Sequence, residues 1–186
     1  TDQFGRDLFS RVVAGTRNIF FLASLSTGLA LLLGVSGGLT AGYFGGWLDA
    51  FIMRTVDILL AFPALLLALL ILSVLGNGVQ NLILGIGVIF APRVLLIVRG
   101  ITLNLRHKEY VDAARALGAS TPHILFRSIL PNALGPLLVE AALRFSYAVL
   151  VSASLGFLGL GVQPPSPDWG LLINEGRTYM LIAPWI

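Results

Sequence analysis

The sequence predicts an all-α protein, a polytopic bundle of membrane helices, and three observations carry that prediction. Hydrophobic residues make up 56% of the chain and charged ones only 11%, with a mean hydropathy of +0.90; soluble domains run at roughly 45–50% apolar and 25% charged. Twelve basic and nine acidic side chains are too few to cover a soluble protein of 186 residues, so most of the outer surface faces lipid or other helices. Finally, 31 consecutive residues, Asn18 to Leu48, carry no formal charge, where about 20 suffice to cross the hydrocarbon core.

The first span fits inside that run, at about 19–41. Gly34, Gly38 and Gly42 recur in it at four-residue spacing, which puts three positions without side chains on one stripe where another helix can approach closely; a glycine hinge is the alternative. The turn Gly42-Tyr43-Phe44-Gly45-Gly46-Trp47 offers rings to the headgroup zone. A second span covers about 51–75, with Arg54 and Asp57 three residues apart near its start, able to pair or reach the interface, and with Pro63 predicting a kink. Gly76-Asn77-Gly78 makes a tight turn into a third span at about 79–98. Arg93 lies about 9 Å along a helix from Arg99, close enough to snorkel to the headgroups. The fourth span is about 133–157, and the tail from 159 to 186, with its prolines and Trp169, Tyr179 and Trp185, suits an interfacial segment. Beginning at Thr1 without methionine and stopping just past a Pro-Trp pair, the chain reads as a piece of a longer protein.

Between the third and fourth spans lies the one sizeable polar stretch, about 99–132, with Arg99, Arg106, Lys108, Arg115 and Arg127. The excess of Lys and Arg makes it cytoplasmic. Counting back, Thr1 to Arg17 falls outside even though it carries Arg6, Arg11 and Arg17; the first hairpin thus argues against the orientation the loop sets.

Within that loop Tyr110, Ala113, Ala114 and Leu117 recur at i, i+3, i+4 and i+7, an amphipathic helix with Lys108, Asp112 and Arg115 opposite. Gly118 suits its C-terminus and takes a positive φ there, Thr121 can cap a following helix, and Pro122 sits where its missing N–H costs nothing. Pro122, Leu125, Phe126, Ile129 and Leu130 give a second stripe that Pro131 stops. The prediction is helix, sharp turn, helix, outside the bilayer. From pattern alone it is either a docking element or a hairpin lying on the membrane surface.

The run Glu109-Tyr110-Val111-Asp112-Ala113-Ala114-Arg115-Ala116-Leu117-Gly118-Ala119-Ser120, continuing to Ile129-Leu130-Pro131-Asn132, resembles the EAA loop of the permeases of ATP-binding-cassette (ABC) importers. Two further stretches, Thr1-Asp2-Gln3-Phe4-Gly5-Arg6-Asp7 and Phe157-Leu158-Gly159-Leu160-Gly161-Val162-Gln163-Pro164-Pro165-Ser166-Pro167-Asp168-Trp169-Gly170, are similar to the dipeptide, oligopeptide and nickel permeases of the DppC and OppC type. The resemblance covers essentially the whole chain and departs at Asp112, where Glu is commonest, at Ser128, where an apolar residue is frequent, and at Ser152, where many relatives are acidic. It implies a type I importer permease of six spans, of which this chain holds the second to fifth and the lead-in to the sixth. In that family the loop is the coupling helix docked on the ATPase, which assigns the contact to Glu109, Tyr110, Asp112, Ala113, Ala114, Arg115, Gly118, Ala119, Ser120, Pro122, Phe126 and Pro131. The partners implied are a second homologous permease, two ATPase subunits, an external binding protein and the inner-membrane bilayer, with no nucleic acid. The cargo implied is a di- or oligopeptide, with nickel or another small solute behind.

The residues also exclude chemistry. There is no cysteine and no GxxxxGK[ST], and the only lysine follows His107, so ATP and Mg belong on a partner subunit and this chain is no enzyme. His107 and His123 lie 16 residues apart, without metal-ligand or catalytic spacing. An ion-coupled transporter or channel, the rival class, would need ionisable residues deep in its spans. Glu140 and Arg144 are the only such pair, and at i,i+4 they most simply neutralise each other, with substrate contact as the alternative.

Overall fold

The computed structural model describes residues 1–2 and 4–183, and the regular structure among them is entirely helical. The helices are α1 Leu8–Phe44, α2 Gly46–Leu60, α3 Ala64–Leu75, α4 Val79–Leu105, α5 Glu109–Ala116, α6 Thr121–Phe157 and α7 Trp169–Arg177. They make two compact units. One comprises Thr1–Thr27, Leu65–Gly87 and Phe145–Ile186; the other Gly28–Ala64 and Val88–Arg144. Gln3 of the N-terminal motif and Trp185 of the tail lie outside the described residues.

Three of these helices, α1, α4 and α6, are each long and apolar enough to cross a membrane. A fourth crossing requires α2 and α3 to be counted as one broken span. The expected second span, 51–75, is therefore two helices interrupted at 61–63, where Pro63 has no N–H to continue the ladder. The other spans run longer than the charge-free windows suggest: α1 begins at Leu8, α4 continues to Leu105, and α6 takes in residues from Thr121 onward. Helical bonding does not stop where lipid stops, so hydropathy fixes the buried middle of a span better than its ends.

In the second unit the close approach is made by the glycine stripe. A Cβ on Gly34 would fall 2.5 Å from the Val94 Cβ, one on Gly38 2.6 Å from the Val98 Cβ, and one on Gly42 2.7 Å from the Thr102 Cβ. The same three Cβ atoms would also stand 2.9, 2.8 and 2.9 Å from the carbonyls of Ala91, Leu95 and Arg99. α1 and α4 thus mesh turn for turn, glycine against side chain, which is a packing face rather than a hinge. Two hydroxyls in this part of α1 bond to their own helix: Ser36 Oγ donates to the Leu32 carbonyl at 2.7 Å and Thr40 Oγ1 to that of Ser36 at 2.9 Å. Backbone-directed bonding of this kind keeps hydroxyls satisfied without water.

The first unit is closed by the N-terminal segment and the tail. Asp2, almost wholly buried, accepts from the backbone N–H groups of Phe4 and Arg6, from Arg6 Nε at 2.7 Å and from an Arg11 guanidinium nitrogen at 2.8 Å. Burial works against its ionisation, but the bonds from Arg6 and Phe4 outweigh it and hold the carboxyl at about 2. Arg11 also reaches Glu175 of α7 at 3.2 Å. Beyond this ion cluster, Trp169 Nε1 donates to the Val12 carbonyl at 2.9 Å and Asn18 Nδ2 to that of Pro167 at 2.8 Å. The tail is pinned along α1, and Gly15 is the position where the Trp169 ring lies against it.

Candidate docking hairpin

The hairpin grows from the end of α4. Lys108, extended at φ −79°, ψ 145°, turns the chain into α5 and caps it through its backbone. Glu109 and Asp112 occupy the first turn and Arg115 the last, the placement that suits the helix dipole. Arg115 and Asp112 pair at 2.8 Å on the exposed side. Gly118 then takes φ +78°, its N–H bonding the Arg115 carbonyl at 2.9 Å and the Ala119 N–H reaching the Ala114 carbonyl at 3.0 Å. Those two bonds form a Schellman cap, with Gly118 in the left-handed position anticipated for it.

The return helix starts one residue earlier than expected. Ser120, not Thr121, is the flanking residue, its side chain making no cap bond, and Pro122 lies in the first turn. Nor does Pro131 stop the helix. Residues Ile124–Ile129 adopt a π-helical turn, with the Leu130 N–H bonded to the Leu125 carbonyl five residues back, and the chain runs on as an α-helix from Leu130 to Phe157. The widened turn makes room where the proline ring would otherwise meet the Arg127 carbonyl. What charge and proline content mark as a loop from 99 to 132 is therefore helical over most of its length.

The hairpin packs on the core of the second unit. Val111, Ile124, Leu125 and Ile129 pack in one cluster with Leu39, Val94, Val98, Ala133 and Leu137, and Ala114 and Ala119 lie against it. The apolar stripes read from the sequence are not the buried faces. Val111, which the i, i+3, i+4, i+7 pattern leaves out, is the fully buried anchor of α5, whereas Tyr110 is 42% and Leu117 88% exposed. Phe126, a member of the second apolar stripe, is 60% exposed, while Ile124, outside that stripe, is buried. A short helix with apolar side chains at 110, 111, 113 and 114, and at 117 just past its end, has two candidate inner faces, and periodicity cannot choose between them. Packing chose the face on which the compact Val111 meets the core.

Of the remaining predicted contact residues, Glu109, Asp112, Ala113, Arg115, Gly118, Ser120, Pro122 and Pro131 are exposed, and Ala114 and Ala119 are half-buried. The hairpin so presents an outer surface of Tyr110, Leu117 and Phe126 set among Glu109, Asp112 and Arg115. Apolar side chains raised on a capped, rigid tip are the composition of a protein-binding surface.

Sequence reasoning named the arginines around the hairpin but missed what they hold. Arg99, counted as loop, lies in α4 and meets Asp49 of α2 two-pronged, Nε to Oδ1 at 2.5 Å and a terminal nitrogen to Oδ2 at 2.6 Å. Arg106 donates to the Gly42 carbonyl at 3.0 Å. The Arg115 guanidinium carbon stands 5.3 Å from the centre of the Tyr43 ring. A signal existed for one of them: Asp49 is the charge that closes the 31-residue uncharged run, so it had to find a cation or water. Away from the hairpin, Arg144 Nε and Glu140 Oε1 lie 2.7 Å apart, both largely buried, and the Arg144 guanidinium also stands 5.6 Å from the centre of the Phe90 ring. The sequence placed this pair together as neighbours on one helix face.

Comparison with known proteins follows the same lines. The sequence model of the family described as "Binding-protein-dependent transport system inner membrane component" matches residues 34–184. The dipeptide transport system permease protein DppC of Alkalihalophilus pseudofirmus is 43% identical over 185 residues, which is 100% of this chain and 61% of that protein. The glutathione transport system permease protein GsiD of Pectobacterium atrosepticum is 41% identical over 100% of this chain and 62% of its own. The di/tripeptide transport system permease protein DppC of Pseudomonas aeruginosa is 41% identical over 100% and 61%. The chain thus spans about three-fifths of the length of these relatives. Among solved structures, a chain of the inward-facing MetNI methionine ABC transporter superposes with a TM-score of 0.75, covering 92% of this chain and 81% of that one at 22% identity, a likeness of fold.

Proposed function

Because the chain belongs to the family of inner membrane components of binding-protein-dependent transport systems, we propose that it forms the translocation path of an ABC importer for di- or oligopeptides. It pairs with a second homologous permease, receives cargo from an external binding protein, and passes it inward as two ATPase subunits close. The peptide class rests on relatives named for dipeptide, di/tripeptide and glutathione transport, which favours it over nickel. ATP and Mg sit on the partner ATPase, the chain itself contributing no phosphate cradle.

The observation that carries this reading is the hairpin's outer surface: Tyr110, Leu117 and Phe126 stand exposed on an element whose inner face is fully packed. A hairpin merely resting on the bilayer would not need Glu109, Asp112 and Arg115 set among them. In this reading the hairpin and the α1–α2 corner are cytoplasmic, and the Gly76 turn and the tail face outward. Arg6 and Arg11, which count against that orientation in the sequence, have a packing reason to be where they are, through Asp2 and Glu175.

The test is co-purification and coupling. Full-length permease expressed with its ATPase and reconstituted in proteoliposomes is expected to retain the ATPase and to take up a labelled dipeptide on ATP addition in the presence of the binding protein. Leu117→Asp and Asp112→Arg should each release the ATPase or uncouple hydrolysis from uptake, with membrane insertion unchanged. Both variants transporting like wild type would reduce the hairpin to an interfacial element. Single cysteines at Asn77 and Ser120 test the topology, with labelling expected from outside at the first and from the cytoplasm at the second.

A further inference from the structure

Eight residues at the junction of α1 and α2, Gly42 to Asp49, receive three arginines, from α4, from the link after it and from α5. Arg99 grips the Asp49 carboxylate with two nitrogens, at 2.5 and 2.6 Å, the planar geometry that fixes direction as well as distance. Arg106 caps the end of α1 at the Gly42 carbonyl, 3.0 Å away, where the last turn of a helix leaves carbonyls without partners. Arg115, in the last turn of α5, lies over the Tyr43 ring at 5.3 Å. Contact with Tyr43, more than with Asp112, holds the Arg115 guanidinium above its ordinary pKa. The corner itself turns on two glycines: Gly45 and Gly46 both take positive φ, at 67° and 59°, and the Asp49 N–H bonds the Gly45 carbonyl at 3.2 Å.

We propose that this corner is the positioning element of the docking hairpin, with Tyr43 and Asp49 setting the direction in which α5 points. α5 is joined to α4 only by Arg106-His107-Lys108 and to α6 only by the turn after Ala116, connections too short to form a brace yet free to swivel about Val111. Tyr43 against Arg115 stops the swivel, and Asp49 against Arg99 locks α2 to the same face of α4. A load applied to the exposed tip at Leu117 then enters the end of α1, whose glycine stripe delivers it to α4, instead of dissipating in the hairpin. This deepens the docking reading and rests on it for its purpose, but the geometry can be measured without any ATPase.

The experiment places nitroxide labels on cysteines at Ala50 and Ala113, both exposed, in the full-length permease in lipid vesicles, and reads their distance distribution by pulsed electron paramagnetic resonance. Wild type is expected to give one narrow distance. Tyr43→Leu and Arg115→Gln should each widen it about twofold, since a cation–ring contact is replaced by a free guanidinium or none. Asp49→Asn should widen it as well, whereas Asp49→Glu, which keeps the charge facing Arg99, should leave it narrow. A control pair at Ala50 and Leu96, both away from the hairpin, should stay narrow in Tyr43→Leu and Arg115→Gln. Unchanged widths in Tyr43→Leu, Arg115→Gln and Asp49→Asn would overturn the proposal, because Val111 would then suffice. Equal widening of the control pair in Arg115→Gln, whose exposed side chain the core does not need, would overturn it as well. ATPase retention in the same preparations reports separately on docking, so loss of that reading and loss of this one give different results.

Discussion

Two helices in this chain end on a left-handed glycine with the same pair of backbone bonds, and they differ in everything beyond the cap. After α5, Gly118 at φ +78° bonds the Arg115 carbonyl and Ala119 reaches back to Ala114; after α6, Gly159 at φ +82° bonds that of Gly156 at 3.0 Å and Leu160 reaches back to Leu155 at 2.9 Å. Beyond Gly159 the chain itself returns. The Asp168 carboxylate rests on Gly156, Gly170 sits against the Ala153 carbonyl and the Phe157 nitrogen, and Gly161 lies on the Gly156 backbone. A side chain on either cap glycine would meet nothing within 4 Å; the difference is that no such returning segment covers the end of α5, where Leu117 is 88% exposed. A Schellman cap thus says where a helix ends and not what covers the end. One joint is completed by its own tail; the other presents the surface that, in the proposed function, an ATPase completes.

The sharpest way to break the comparison is to fill both joints. Gly170→Ala puts a methyl into backbone that has no side chain to move aside, so a loss at or above the upper end of about 1–3 kcal/mol is expected. Gly118→Ala should cost only the left-handed strain of about 1–2 kcal/mol, and thermal unfolding of the detergent-solubilised full-length chain would rank the two. A reversed order would mean that the tail is not self-packed.

Next in size is Asp168. Its carboxylate caps α7 by accepting from the Leu171 N–H at 2.9 Å, and burial pushes its pKa above the ordinary carboxylate value, against the hydrogen bonds that pull it down. Asp168→Leu should lose about 1–2 kcal/mol of capping, whereas Asp168→Asn keeps an acceptor and should lose little. The sign of the pH effect follows. A folded-state pKa above the unfolded one means the native state binds more protons, so wild-type stability falls as pH rises from the ordinary carboxylate value through the raised one. Asp168→Asn should remove that slope; an unfolding midpoint in wild type that rises with pH over this range would contradict the assignment.

The smallest stability effect belongs to the open joint's rim. Leu117→Ser should change unfolding by no more than about 0.5 kcal/mol, because the side chain packs against nothing in the chain, while ATPase retention falls. A large destabilisation would show that Leu117 already has a partner within this protein.

The same contrast explains what could be read in advance. Features set by the local backbone were legible: the glycine stripe at Gly34, Gly38 and Gly42, the left-handed Gly118 and the break at Pro63 all follow from residue type and spacing. Glu140 and Arg144 meet because four residues bring them to one helix face. Features set by packing were not. Val111 rather than Tyr110 faces inward because the hairpin core accepts a compact branched side chain there, and only the assembled core distinguishes the faces. Pro131 reads as a stop because the sequence does not announce the π-helical turn that lets α6 pass through it. Asp49 and Arg99 stand fifty residues apart, and the tail's clasp on α1 joins residues still farther separated, so neither leaves a period or a motif. Which side chains touch the ATPase remains part of the proposed function.

The glycine stripe also limits how this chain can move. Gly34, Gly38 and Gly42 accept Val94, Val98 and Thr102 one per turn, like the teeth of a rack against a pinion. A slide of α1 along α4 by a fraction of the helical pitch of about 5.4 Å would drive each side chain into the shoulder of a turn instead of its notch. The pair can therefore advance by a whole notch or turn together as one bar, and gradual creep between the two is closed to it.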